Sequence, residues 1–197
     1  MTFTEESLRE QIPYYLTADQ KAGFLKALES FPSNMNYYGS GYEDDVLQGD
    51  GWTKLTVVRF ENGDRDSIRG IVLSNSCDVA SENKRDLPVN ITFAPIVPLS
   101  EYRKLLEKVG LDPDTIKKKI AAITDQKVTN IFYLPSGAAL EQDHIALFGD
   151  IHSMPAKAFE VEQAKSKLFT LSLAGFYLFI FKLSIHFCRF HENLVRA

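Results

Sequence analysis

The stretch 52–74, WTKLTVVRFENGDRDSIRGIVLS, constrains this chain more than any other, because two β-branched runs flank Asn62-Gly63. Asn and Gly both tolerate the positive φ that tight hairpin turns require, so 52–60 and 67–74 are expected to pair as antiparallel strands. VNITFAPIVP over 89–98 reads as a third strand and makes the middle of the chain a β-meander. Ahead of it, Thr17 and Gln20 form a capping box, and Ala22, Phe24, Leu25, Leu28 and Phe31 supply one apolar helical side that Pro32 ends. The stretch 33–45, rich in Asn, Gly, Ser and Tyr, reads as a loop. Residues 1–45 are therefore expected to be a helical extension with its linker, and 46–197 the main domain.

Beyond the third strand, Ser100 is placed to cap a helix that Gly110 stops, and Asp112-Pro113 to open another with Ile116, Ile120 and Ile123 on one side. These two form a helical insertion over about 100–127. Strand-like segments follow at 128–134 and 144–148, and one long helix is expected from about 162 to 193. The fold class expected is α+β, with a small antiparallel barrel as its centre.

Charge and cysteine usage narrow the function classes. A net charge of −4 excludes a surface that binds nucleic acid everywhere and leaves only a local basic patch. No Cys/His spacing suits zinc, no Gly-rich phosphate loop appears and His-Glu-x-x-His is absent, so no metal or cofactor is expected. The N-terminus MTFTEESLREQ lacks the basic-then-apolar pattern of a signal peptide, which makes Cys77 and Cys188 expected free thiols in a cytoplasmic protein. The apolar run 168–187 is long enough to cross a bilayer if helical. However, Lys182, His186, Arg189 and Asn193 fall on one helical side, so a largely buried helix and no membrane span are expected.

Three segments carry a resemblance: LQGDGW with LTVVRF as an opening strand, SIRGIVLSN as an arginine-led hydrophobic strand, and ITFAPIVP, with IALFGDIHSMP a fainter echo. Over about 46–100 and 128–190 the chain resembles the MazF/PemK family of toxin endoribonucleases. The resemblance implies an SH3-like barrel with a C-terminal helix, metal-independent cleavage of single-stranded RNA, a homodimer and a protein antitoxin as partner. Two positions depart from the family pattern. Gly70 stands where the family's arginine is followed by proline, and Val97 stands where it carries a catalytic Ser or Thr.

Metal-independent RNA cleavage needs a cation on the developing phosphate charge and a group that moves the 2′-hydroxyl proton. Arg69 is the candidate cation, and Ser74, Ser76 and His152 are the candidates for proton transfer, with Asn75 and Thr92 as neighbouring hydrogen-bonding groups. The plainer readings pair Arg69 with Asp64, Asp66 or Asp78 and let the small polar residues satisfy nearby backbone. Cys77-Asp78 offers an alternative nucleophile, served by His144 or His152, in a Cys-dependent hydrolase. Arg59, Arg65, Lys182, His186 and Arg189 are candidates for a phosphate-binding track, with Tyr37, Tyr38, Tyr42 and Trp52 for base stacking. A solvated strip and ordinary packing are their plain alternatives. Two function classes follow: a toxin-type or defence-associated endoribonuclease, or a module on the same fold, in a stress or phage-defence system, that binds a partner protein or nucleic acid without catalysis.

Overall fold

The computed structural model describes residues 35–80 and 87–188. The helix expected over 17–31 and the candidate Arg189 lie outside them. Within the described residues the protein is α+β, a curled antiparallel sheet with five helices.

The expected hairpin forms from β2 (Gly51–Val58) and β3 (Arg65–Val72), with Gly63 at φ 76° in the turn. β4 (Asn90–Pro98) pairs with β3 through Gly70↔Pro95, Ile71↔Ala94 and Val72↔Phe93. Its other edge is shared: β7 (His152–Pro155) takes residues 90–93 and β6 (His144–Leu147) takes 96–98. One strand thus serves two short partners in succession. β5 (Ile131–Leu134) follows β6, while β8 (Lys167–Leu171) borders β2 and carries β1 (Tyr38–Gly39) on its far side. In β2 the register slips between Trp52 and Leu55, and Lys54 there adopts φ 61°, a bulge of the kind that sharpens sheet twist.

Period-two alternation sends residues to opposite faces. On one face Ile71, Ala94, Ile96, Phe132 and Phe148 pack against Leu178 and Phe179 of α5 (Leu173–Cys188). On the other, Trp52, Leu55, Val72 and Phe93 are closed by Phe159 of α4 (Ala156–Glu160). A third cluster joins α2 (Leu99–Lys108) and α3 (Pro113–Thr124) to β5 and β6 through Leu99, Ile123, Ile131 and Ile145.

Asp112 caps α3 as expected, its side chain accepting from Thr115 N at 3.0 Å. For α2 the cap is Pro98 rather than Ser100, without a side-chain bond. The larger differences are two. The expected loop 33–45 contributes β1 and two buried core residues, Met35 and Tyr37. The single helix expected from 162 is instead strand β8 followed by α5, which begins at Leu173. Lys167–Leu171 is too short for periodicity to separate strand from helix, and its pairing with β1 and β2 is non-local.

α5 meets the β1 lead-in closely: a Cβ on Gly175 would lie 2.4 Å from the Tyr37 carbonyl oxygen, which is backbone and cannot swing away. Gly175→Ala is expected to destabilise the protein by about 1–3 kcal/mol through overpacking, despite alanine's better helix propensity. A urea-unfolding midpoint equal to or above wild type would show that the contact relaxes freely.

Candidate functional site

Arg65, Ser67 and Arg69 are exposed and alternate along β3 with less exposed neighbours, so the two arginines share a face, their Cα atoms about 13 Å apart at 3.3 Å per residue. Arg69 makes no ion pair with the described residues. Two carboxylates considered for it are engaged elsewhere: Asp66 pairs with Arg59, and Asp64 accepts from the Asn62 amide at 2.5 Å. Arg59 is therefore spoken for by its own strand neighbour, whereas Arg65 and Arg69 face solvent.

The polar cluster after β3 is turned toward backbone. Ser74 Oγ accepts from Thr92 N at 2.8 Å and donates to the Asn90 carbonyl at 3.4 Å. Ser76 Oγ accepts from Gln48 N at 2.9 Å, and Asn75 caps the short helix α1 (Ser76–Val79) by accepting from Cys77 N at 2.9 Å. Thr92 is half-buried on β4. Ser74 lies five residues beyond Arg69, about 16 Å along an extended chain, and does not meet it. His152 Nε2 sits 2.9 Å from Asp150 Oδ1, and its ring stacks on Phe93 at 5.9 Å.

Cys77 and Asp78 are exposed on α1. His144 is buried, with Nδ1 2.6 Å from the Gln142 carbonyl oxygen. Val97 packs against the cluster that holds Leu99 and Ile145. Gly70 sits under Leu55 and Phe93, whose side-chain carbons would lie 2.7 and 3.0 Å from an added Cβ.

The phosphate-track reading is corrected at Lys182. Its side chain is buried at 2% exposure, so it can form neither a phosphate contact nor a solvated strip. Its Nζ donates to Gln126 Oε1 at 2.8 Å and to the Ile131 carbonyl. Gln126 Oε1 also accepts from Tyr133 N at 3.2 Å, while its Nε2 donates to the Tyr133 carbonyl at 2.8 Å and to the Tyr37 hydroxyl at 3.3 Å. The amide's two donors and two lone pairs are all used. Gln126 holds φ 59° just beyond α3, an ordinary glycine position, and so aims its amide along the edge of β5. His186, one turn beyond Lys182, is half-buried against Phe148, its ring 6.1 Å away.

Base-stacking candidates divide likewise. Tyr37 and Trp52 are buried and Tyr38 is half-buried, its hydroxyl donating to the Pro135 carbonyl, leaving Tyr42 exposed. Among the described residues the most exposed large apolar side chain is one the sequence did not single out: Phe60, 98% exposed at the tip of the β2–β3 hairpin. A lone Phe in a turn of charged residues carries no periodicity, so its exposure was the only available signal. A second missed group is Asp50. Its carboxylate is buried 2.8 Å from Lys167 Nζ, which lies 5.1 Å over the Trp52 ring. Burial pushes the Asp50 pKa up, and the bond from Lys167 partly offsets this.

Among the described residues no group of three or more His, Cys, Asp or Glu side chains is placed to hold a metal ion, and no helix is long and apolar enough to cross a membrane. No protein-family model matches the chain, nor does any curated protein sequence.

Burial without a carboxylate partner lowers the Lys182 pKa to about 7. An unfolded lysine titrates near about 10.4, so between these values the unfolded chain binds more protons and stability rises with pH. Below the folded value both states hold the proton and this slope vanishes. Thermal midpoints of wild type are expected to rise from pH 7 to roughly pH 9, short of where tyrosines titrate. Lys182→Met should remove that rise. An identical slope in the variant would place the effect elsewhere.

Proposed function

We propose that the protein is a single-strand nucleic-acid-binding module, a divergent relative of the MazF/PemK group on an opened SH3-like barrel, serving a stress or phage-defence system without cleaving its ligand. The observation that carries this reading is Phe60, fully exposed at a hairpin tip whose following strand displays Arg65 and Arg69 to solvent. An unpaired base offers a π-face to the phenyl ring, and the guanidiniums suit phosphate oxygens. Ser74 and Ser76, the hydroxyls expected to move the proton, are engaged with backbone instead.

A second reading, the metal-independent endoribonuclease, is favoured by one observation: Arg69 is exposed and makes no ion pair with the described residues. In that reading Arg69 stabilises the transition state, an unidentified group transfers the proton, and a homodimer with a protein antitoxin is the expected assembly.

Incubation of the protein with mixed-sequence RNA in EDTA separates the two. Salt-dependent binding without cleavage is expected. Arg69→Ala should shrink the slope of log K against log salt by about 0.7, the contribution of one phosphate contact on a single strand. Phe60→Ala should weaken binding by about 1–3 kcal/mol. Arg69-dependent cleavage to cyclic phosphate ends would install the second reading, and absence of binding at low salt would remove the first.

A further inference from the structure

α2 leaves β4 at Pro98 and crosses α3 beside the segment leading into β6. Between them is a cleft of about 280 Å³ lined by Leu99, Ser100, Arg103, Ile120, Gln142 and Asp143. Leu99 and Ile120 make its apolar part. Arg103 and Asp143 bring opposite charges to the same small space, yet they form no ion pair with each other or with any described residue.

The acidic wall is fixed. Asp143 Oδ1 accepts from Ser136 N at 2.9 Å, and its backbone carbonyl accepts from Leu99 N at 2.9 Å. Ser100 Oγ donates to Gln142 Oε1 at 2.9 Å, tying the start of α2 to the same segment. A carboxylate held by backbone and by the Tyr133 hydroxyl shares the cleft with an exposed guanidinium, and neither charge is neutralised by an opposite one, which leaves one charge of each sign for a ligand. A dianion would meet Asp143 and a diamine would meet Arg103, so the complementary ligand carries one charge of each sign. The volume falls just below the range of about 300–1,000 Å³ that holds drug-sized ligands, so the ligand is smaller than those.

We propose that this cleft binds a free aliphatic α-amino acid, its carboxylate on the Arg103 guanidinium, its ammonium on the Asp143 carboxylate and its side chain against Leu99 and Ile120. The site shares no residue with the β2–β3 hairpin and stands or falls independently of the nucleic-acid reading.

Calorimetric titration of the full chain tests it, with L-leucine, 3-methylbutylamine, which lacks the carboxylate, 4-methylpentanoate, which lacks the amine, and the dipeptide Leu-Leu, which separates the two charges. Saturable binding of L-leucine is expected, with each single-charge analogue at least about tenfold weaker. Arg103→Ala should weaken L-leucine by about tenfold or more while leaving the melting temperature of the unliganded protein unchanged, since Arg103 is exposed. No saturable heat up to about 10 mM L-leucine would overturn the proposal. So would analogues that bind equally well, or affinity indifferent to Arg103→Ala. Equal or tighter binding of Leu-Leu would overturn the free amino acid in favour of a peptide end.

Discussion

A single side-chain amide closes the edge of the sheet on which α5 rests. β5 pairs with β6 on one side only, and its other edge would present Tyr133 N–H and the Ile131 and Tyr133 carbonyls to a protein interior. Gln126 stands in for a neighbouring strand by accepting from the Tyr133 N–H and donating to its carbonyl, and Lys182 reaches from α5 to the Ile131 carbonyl. Each such group left unpaired would cost about 1–3 kcal/mol, so the joint is worth more than its four residues suggest. It also ties Tyr37, next to β1, to α3, β5 and α5 at one point.

This joint explains why α5 defeats an amphipathic reading. A helix normally turns its charged residues to water, yet here the lysine is the inward group, while Leu173 and Phe187 are exposed. The interior demanded a donor long enough to reach the β5 carbonyl, and the buried four-carbon stem supplies that reach. A methionine would fill similar volume without a donor, leaving Ile131 O unpaired. Fixing the position of α5 along the sheet is the role a buried polar contact performs best.

Legibility from sequence followed the range of the interactions. The hairpin around Asn62-Gly63, strand β4 and the Asp112 cap were readable because their causes lie within a few residues: turn chemistry, alternation and a local side-chain bond. The strands β1, β7 and β8 were not, because pairs such as Tyr38↔Leu171 and Phe93↔His152 join distant segments and each strand is five residues or shorter. The candidate site divided along the same line. Arg69 was legible as a strand cation, but that Ser74 and Ser76 spend their hydroxyls on Thr92 and Gln48 depends on contacts 18 and 28 residues away. Lys182 misled because its spacing with His186 is local, whereas its partners, Gln126 and Ile131, lie more than 50 residues earlier.

The hairpin shows how an acidic chain can still offer a cationic surface. Three carboxylates, Glu61, Asp64 and Asp66, stand beside Arg59, Arg65 and Arg69, so simple counting makes the segment neutral. The bonds leave that count unchanged and fix where two of the carboxylates point. Arg59 takes up Asp66, and the Asn62 amide together with the Asp64 N–H ties Asp64 into the turn, where it also braces the tip that presents Phe60. Arg65 and Arg69 then share a face with Ser67, with no carboxylate bound to either among the described residues. At physiological ionic strength charges are screened beyond about 8 Å, so the remote negative charge that sets the low isoelectric point has little influence on this face.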